Sequence, residues 1–248
     1  MKAMIFAAGL GTRLRPLTDN RPKALVEIAG RTLLEITLAR LNSFGIRDVI
    51  VNVHHFAGMI VDYLKSNDNF GMRIEISRED DLLLDTGGGL KKAAWFFLND
   101  SANEPFILHN VDVISTIDLD RMARFHVENR ALATLAVQDR KSTRHLLFDK
   151  DLQLCGRDTT TEREREPFRT SPDLTPLAFS GIHVISPRLL PMITEEGVFS
   201  IIGPYVRLAA GGERIVAFRA DEYQWRDVGR LDDVKRADED ARLIKQIV

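Results

Sequence analysis

Two glycines and two cationic side chains follow the first apolar segment of the chain. Gly9 and Gly11 are followed by Arg13, and Lys23 comes later in a Pro-Lys-Ala-Leu segment. Glycines let backbone N–H groups approach a phosphate without a Cβ in the way. Arg13 and Lys23 place positive charge where negative charge builds up during phosphoryl or nucleotidyl transfer. The loop therefore predicts a phosphate-binding site.

Two other phosphate-binding motifs do not fit this loop. A P-loop needs Gly-Lys followed by Ser or Thr, which the loop lacks. A dinucleotide-binding loop needs a third glycine, where this chain has Leu14, and an acidic residue at the end of the second strand. The second apolar run, residues 49–53, continues instead into His54 and His55. A dinucleotide-dependent oxidoreductase is therefore disfavoured.

Two aspartates far apart in the sequence are candidate metal ligands. Asp112 comes shortly after an apolar run at 106–108, and Asp227 lies just before the C-terminal helical segment. We expect both to follow strands that end at the same edge of the sheet. Two carboxylates suit Mg²⁺, which takes its remaining ligands from water and phosphate. Either aspartate alone would be a turn or capping residue, but the pair and the glycine loop together predict a Mg²⁺-phosphate site.

The elements that must position these residues alternate between short apolar runs and helical patterns. Predicted strands are at 3–7, 49–53, 73–76, 106–108, 132–137, 146–148, 177–185 and 215–218. Predicted helices are at 32–44, 57–64, 88–97, 118–127, 201–210 and 231–244. This βαβ alternation predicts a Rossmann-like three-layer α/β/α fold with a mixed, mostly parallel central sheet. The polar segment 158–176 is predicted to be a solvated loop, with a flap over the site as the alternative.

Composition points to a single domain over residues 1–248. The chain is 44% hydrophobic, and its formal net charge of −2 gives no reason to expect nucleic acid or an anionic membrane as a partner. Cys155 is the only cysteine, which excludes an internal disulfide. The first apolar segment is too short to span a membrane. We expect a cytoplasmic protein, monomeric or homodimeric.

Four later motifs, together with the glycine loop, resemble the sugar-1-phosphate nucleotidylyltransferases. Residues 85–90 (DTGGGL) resemble the family's base-binding loop, and residues 110–112 (NVD) resemble its Asn-Gly-Asp metal motif. Residues 179–182 (FSGI) resemble the strand that borders the sugar, and residues 225–229 (WRDVG) resemble the second metal motif. The resemblance extends over nearly the whole chain and implies a nucleotide-binding half at about 1–115 and a sugar-binding half at about 116–248. It implies an enzyme that binds a nucleoside triphosphate, a sugar 1-phosphate and Mg²⁺, with in-line attack at the α-phosphorus and release of pyrophosphate.

The resemblance implies a role for each candidate residue. Arg13 and Lys23 are the catalytic cations, with Arg13 on the β- and γ-phosphates and Lys23 on the α-phosphate and the sugar phosphate. Asp112 and Asp227 are the metal ligands. The nucleotide-binding set is Ala8, Gly9, Gly11, Thr12, Arg13, Asp85, Thr86 and Gly88. The sugar-binding set is Asn52, Asn110 and Gly181.

The sequence also departs from the family pattern. Val111 replaces the usual glycine of the first metal motif, and Arg165 lies where many relatives have a lysine that contacts the sugar phosphate. The short chain resembles a small bacterial branch that includes N-acetylmuramate 1-phosphate uridylyltransferases and guanylyltransferases for mannose or heptose 1-phosphate. UTP is favoured and GTP is next. The alternatives are a catalytically silent nucleotide-sugar-binding regulator and a cytidylyltransferase for a non-sugar phosphate such as phosphocholine.

Overall fold

A computed structural model of the protein describes residues 1–98, 104–159, 164–168, 173–239 and 244. The candidate flap at 158–176 is therefore described only in part. Of the last predicted helix, 231–244, residues 240–243 lie outside the described residues. No helix in the described part of the chain combines the length and the apolar composition needed to cross a bilayer.

The strands and helices alternate along the chain as the sequence predicts. The strands are β1 Lys2–Phe6, β2 Glu27–Ile28, β3 Arg31–Thr32, β4 Asp48–Val53, β5 Arg73–Arg78, β6 Phe106–Asn110, β7 Val113–Ser115, β8 Ala133–Gln138, β9 Arg144–Phe148, β10 Leu154–Thr159, β11 Glu164–Pro167, β12 Thr175–Ile185, β13 Ile215–Arg219 and β14 Trp225–Asp227. The helices are α1 Leu33–Ser43, α2 Ala57–Ser66, α3 Asp85–Lys92, α4 Ala94–Leu98, α5 Leu119–Glu128, α6 Ile202–Ala210 and α7 Leu231–Glu239.

A ten-stranded mixed sheet forms the centre of the molecule. Its main path runs β11-β10-β9-β12-β6-β1-β4-β5, and β8 pairs with both β12 and β13. The strands β6, β1, β4 and β5 are parallel to one another, and β8 is parallel to β13. Strand β12 lies between these two groups and is antiparallel to both β6 and β8. Phe6 pairs with Asn52 on one side and with Asn110 on the other, so β1, β4 and β6 end at the same edge. Ligands bind at such an edge in open α/β sheets.

Helices cover both faces of this sheet. On one face Ile5 packs with Leu34 of α1, Ile60 of α2 and Met122 of α5. On the other face Met4 packs with residues of α3, α4 and α6 such as Leu90, Phe97 and Tyr205. Because adjacent residues of a strand point to opposite faces, β1 contributes to both cores. The Rossmann-like three-layer α/β/α fold expected from the sequence is confirmed.

Two local expectations need correction. The helix predicted at 88–97 begins earlier, at Asp85, and is interrupted at Ala93, so that α3 and α4 are separate. Part of the predicted loop at 158–176 is paired, because β11 lies antiparallel to β10, which in turn pairs with β9. A polar edge ribbon of this kind has little of the apolar alternation that identifies a half-buried strand.

Buried histidines give the fold a testable pH dependence. His126 lies 3.0 Å from Thr134 Oγ1 and 2.9 Å from Ser186 Oγ, and His183 Nδ1 lies 2.8 Å from Tyr205 Oη. Burial lowers the pKa of His126 to about 4 and that of His183 to about 3. These side chains are neutral in the folded protein, whereas an unfolded histidine is protonated below about pH 6.5.

We therefore expect the free energy of unfolding to fall as the pH drops from 6.5 toward 4. Each of the two histidines contributes about 2 kcal/mol to this loss at pH 5, because the unfolded chain binds the extra proton. Urea unfolding at pH 7.5 and pH 5.0 measures the effect. His126→Gln removes one titrating group and should reduce the difference between the two pH values; an unchanged difference would contradict the assignment.

Candidate active site

The loop after β1 turns sharply at Gly11. Gly11 has a left-handed backbone with φ of 65°, and a Cβ there would lie 3.0 Å from Thr18 Cγ2 and 3.1 Å from Lys23 Cβ. A residue with a side chain would therefore be strained and crowded at this position. Thr18 Oγ1 donates to the carbonyl of Gly11 at 2.9 Å, and buried Leu14 anchors the following turn. The glycine thus allows the loop to lie directly against Lys23.

A first cavity of about 520 Å³ opens along this loop. Of the predicted nucleotide-binding residues, those that line it are Ala8, Gly9, Gly11, Thr12, Arg13, Asp85 and Thr86. Lys23 and Asp112 lie at the same wall. The volume and the many backbone groups in the wall suit a ligand of nucleotide size.

Gly88 is the exception among the predicted nucleotide-binding residues. It is not part of this wall, and a Cβ there would lie 2.5 Å from the carbonyl oxygen of Gly197. A Cβ at Gly87 would lie 2.4 Å from the ring of Phe199. These glycines let α3 pack closely against residues 197–199, which leaves Gly88 outside the wall of the first cavity.

A second cavity of about 770 Å³ adjoins the first, and Asn110 and Asp112 line both. Gly181 also lines the second cavity, with φ of 75°. A Cβ at Gly181 would lie 2.9 Å from Asn110 Nδ2 and 2.9 Å from Val113 Cγ2. Asn110 and Gly181, both predicted to face the sugar, are therefore in contact at this cavity.

Asn52, the third residue predicted to face the sugar, lies elsewhere. It is buried at the wall of the first cavity, where its Oδ1 accepts from the backbone N–H of Ala7 at 2.8 Å. Its Nδ2 donates to Glu79 Oε1 at 2.7 Å. Asn52 ends near β1 rather than β12 because β4 is on the opposite side of β1 from β6 and β12.

Asp112 and Asp227 both open onto the second cavity. Asp112 lies in the turn between β6 and β7, and its carbonyl accepts from the N–H of Val228 at 2.8 Å. Asp227 is the last residue of β14, which pairs with β7 in a small two-stranded sheet. The second aspartate therefore reaches the site through this ribbon and not, as the sequence suggested, from the end of a main-sheet strand.

Two cations surround the aspartates. Lys23 is buried, with 7% of its surface exposed, and its Nζ lies 2.5 Å from Asp112 Oδ2. A Cβ at Gly229 would lie 3.2 Å from Asp227 Oδ1 and 3.3 Å from Arg13 Nη2, so these two groups flank the same glycine. Burial raises the pKa of Asp227, and the charge of Asp112 raises it further, whereas Lys23 and Arg13 oppose the shift. Four charged groups thus meet where the two cavities join.

The carboxylate pair fits a hard divalent cation. The repulsion that raises the pKa of Asp227 is the kind that a bound cation relieves. Among the described residues there is no cluster of three or more His, Cys, Asp or Glu that would enclose a metal. Two carboxylates and open space toward a phosphate suit Mg²⁺, which keeps several waters and takes phosphate oxygens as ligands.

Glu79 and Arg140 are among the charged residues of the site that sequence reasoning missed. Glu79 follows β5 and lines the first cavity, and Arg140 follows β8 and lines the second. The Arg140 guanidinium lies 3.9 Å from the centre of the Trp225 ring and donates to the carbonyl of Phe179 at 2.8 Å. Trp225 also lines the second cavity. A charged residue shortly after a predicted strand was the available signal for Glu79, as it was for Asp112.

Comparison with known proteins supports one family. Residues 2–146 match the family model described as nucleotidyl transferase. The chain is 33% identical over 233 residues to N-acetylmuramate alpha-1-phosphate uridylyltransferase of Caulobacter vibrioides, covering 92% of this chain and 91% of that protein. It is 29% identical over 242 residues to mannose-1-phosphate guanylyltransferase of Mycobacterium tuberculosis, covering 96% of this chain and 64% of that protein.

The fold is also that of a solved structure, HddC from Yersinia pseudotuberculosis complexed with GMP-PN. The TM-score is 0.74 at 21% identity, with 96% of this chain and 98% of that chain covered. This likeness concerns the fold, whereas the family model and the uridylyltransferase relative concern the sequence. The chain therefore belongs to the nucleotidyl transferase family, among the sugar-1-phosphate nucleotidylyltransferases.

Proposed function

We propose that the chain transfers a uridylyl group from UTP to a sugar 1-phosphate and releases pyrophosphate, with Mg²⁺ as cofactor. The observation that carries the proposal is the junction of the two cavities, where Asp112 and Asp227 lie beside Lys23 and Arg13. A triphosphate in the first cavity and a sugar phosphate in the second would meet there. The four charged groups together count against a catalytically silent nucleotide-sugar binder.

The side chains at the junction suit a reaction in which positioning and charge neutralisation supply most of the rate. Lys23 Nζ would neutralise the attacked α-phosphate and the approaching sugar phosphate. The Arg13 guanidinium would hold the departing pyrophosphate through paired N–H donors. Asp112 and Asp227 would hold Mg²⁺, which when bound polarises the phosphate oxygens and stabilises the developing charge. The backbone groups of Ala8 and Gly9 would hold the nucleotide beside this centre.

The second cavity favours an acceptor with a second anionic group. Three arginines line it, namely Arg140, Arg144 and Arg157. Of its three carboxylates, Asp112 and Asp227 are assigned to Mg²⁺, and Glu195 pairs with Arg207 at 2.7 Å. The acceptor named for the Caulobacter relative, N-acetylmuramate 1-phosphate, carries a carboxylate as well as its phosphate. This match supports an acidic sugar 1-phosphate as the acceptor. UTP is the favoured nucleotide, and GTP is the next.

A screen for pyrophosphate release tests the proposal. Each of the four nucleoside triphosphates is combined with N-acetylmuramate, N-acetylglucosamine, glucose or mannose 1-phosphate, or with phosphocholine, with and without Mg²⁺. We expect Mg²⁺-dependent release to be fastest with UTP and N-acetylmuramate 1-phosphate. Fastest turnover with CTP and phosphocholine, or no turnover with any pair, would contradict the proposal.

Arg13 and Arg15 provide a matched pair of substitutions on one loop. Arg13 lines the first cavity, whereas Arg15 is exposed and pairs with Asp19 at 3.5 Å. We expect Arg13→Ala to lower kcat/KM for the nucleotide by about 100-fold, because the leaving group loses its charge-assisted hydrogen bonds. Arg15→Ala should change it less than threefold, since exposed ion pairs contribute at most about 1 kcal/mol. Equal effects of the two substitutions would remove Arg13 from the mechanism.

A further inference from the structure

Glu79 is a buried carboxylate to which the proposed chemistry assigns no role. Only 1% of its surface is exposed, yet within the described residues it is held by hydrogen bonds and not by an ion pair. Oε1 accepts from Asn52 Nδ2 at 2.7 Å, and Oε2 accepts from the backbone N–H of Leu84 at 2.8 Å. Burying a carboxylate without a cation is costly unless its oxygens are well bonded, so these contacts must be kept for the side chain to remain in place.

These hydrogen bonds connect the two loops that enclose the first cavity. Asn52 accepts from the N–H of Ala7, in the loop after β1, and donates to Glu79. Glu79 then accepts from the N–H of Leu84, which directly precedes the Asp85 and Thr86 wall of the cavity. Two side chains therefore form a continuous hydrogen-bonded connection from one loop to the other.

The surrounding backbone fixes this pair in position. The N–H of Glu79 donates to the carbonyl of Val53 at 2.8 Å, which continues the pairing of β4 with β5. A Cβ at Gly89 would lie 2.8 Å from Glu79 Oε1 and 2.9 Å from Asn52 Nδ2. Gly89 thus leaves room for the Asn52–Glu79 pair, and α3 packs over this pair. Neither residue lines the second cavity.

We propose that Asn52 and Glu79 are positioning residues that set the spacing of the two nucleotide-holding loops. They thereby determine the affinity for the nucleoside triphosphate and leave the affinity for the sugar phosphate unchanged. The inference rests on the proposed function for the identity of the ligand. The connection also explains why an amide at 52 is paired with a carboxylate at 79. The amide must accept from Ala7 and donate to its neighbour, whereas the carboxylate must accept twice.

A reciprocal exchange of the two side-chain types tests this pattern. In Glu79→Gln the new amide has a single acceptor for two donors, so either the Asn52 or the Leu84 hydrogen bond is lost. In Asn52→Asp two carboxylates face each other without a proton between them. In the double variant Asn52→Asp/Glu79→Gln, the carboxylate at 52 accepts from Ala7 and from the amide at 79. The carbonyl of that amide accepts from Leu84, so all three hydrogen bonds are available again.

We expect each single variant to raise KM and Kd for UTP by about 10-fold to 100-fold, as for the loss of a charge-assisted hydrogen bond. KM for the sugar 1-phosphate should stay within about twofold, and the double variant should return to within about threefold of the wild-type Kd for UTP. Glu75→Gln, an exposed position of the same strand, is the control and should leave all constants unchanged. Equal rises in both KM values, or a folded double variant that binds UTP no better than the single variants, would overturn the proposal.

Calorimetric binding of UTP, with GTP in parallel, is measured on the same proteins. If the wild-type chain binds a nucleotide but transfers nothing, the proposed function fails while the binding constants still test the Asn52–Glu79 connection. Where a single variant does not fold, recovery of both melting temperature and nucleotide affinity in the double variant supports the connection. Recovery of the melting temperature alone contradicts a role in nucleotide binding.

Discussion

Asp112→Asn is expected to lower kcat by about 1,000-fold while leaving the fold intact. The substitution keeps the size of the side chain but removes the charge at the point shared by the two cavities. It weakens the proposed Mg²⁺ site, and it also removes the negative charge that pairs with Lys23 Nζ at 2.5 Å. Asp227→Asn removes the second ligand and should have an effect of similar size.

Steady-state pyrophosphate release over a range of Mg²⁺ concentrations measures both variants. Circular dichroism and a thermal melt establish that they remain folded. Asp120→Asn, at an exposed position in the first turn of α5, is the matched control and should retain wild-type turnover. Near-normal turnover of either Asp112→Asn or Asp227→Asn would remove that residue from the metal site.

Lys23→Ala is expected to lower kcat by about 100-fold to 1,000-fold. Lys23 is buried beside Asp112, so the variant loses the cation at the attacked phosphate and leaves a carboxylate without its partner. Lys23→Arg should restore little activity, because a planar guanidinium does not fit the space of an ammonium group. The effect should appear in kcat rather than in the KM for UTP, since the charge is needed most in the transition state.

Lys65→Ala provides the comparison for this substitution. Lys65 is exposed near the end of α2 and should be replaceable without a measurable change in turnover. A single-turnover measurement separates the chemical step from product release. If Lys23→Ala and Lys65→Ala reduce the single-turnover rate equally, Lys23 has no role in the chemistry.

The parts of the fold that could be predicted are those with a repeating apolar pattern. The apolar side chains of the predicted helix 32–44 recur at helical spacing, and α1 buries one side of it: Leu33, Leu34, Ile36, Thr37, Leu38 and Leu41. Thr32 caps this helix by accepting from the N–H of Glu35 at 3.0 Å, in agreement with the predicted start. The short ribbon of β7 and β14 had no such pattern, because three-residue strands are too short to show a period.

The candidate site was predictable where a residue lies in the segment that follows a strand. It was not predictable where the surroundings of a side chain depended on packing. Asp112 and Arg13 reach the expected cavity because chain connectivity alone brings them to the edge of the sheet. Gly88 lies outside the wall of the first cavity and Asn52 outside that of the second, because neighbours distant in sequence occupy the space around them. Gly197 is packed against Gly88, and Glu79 holds Asn52. Sequence spacing contains no information about these contacts.

The most direct measurement is a crystal structure of the protein with Mg²⁺, a non-hydrolysable UTP analogue and a sugar 1-phosphate. The account predicts a Mg²⁺ ion about 2.1 Å from carboxylate oxygens of both Asp112 and Asp227 and bound to the α-phosphate, with the base in the first cavity and the sugar in the second. A metal ion that contacts neither aspartate, or a nucleotide bound in the second cavity, would contradict it.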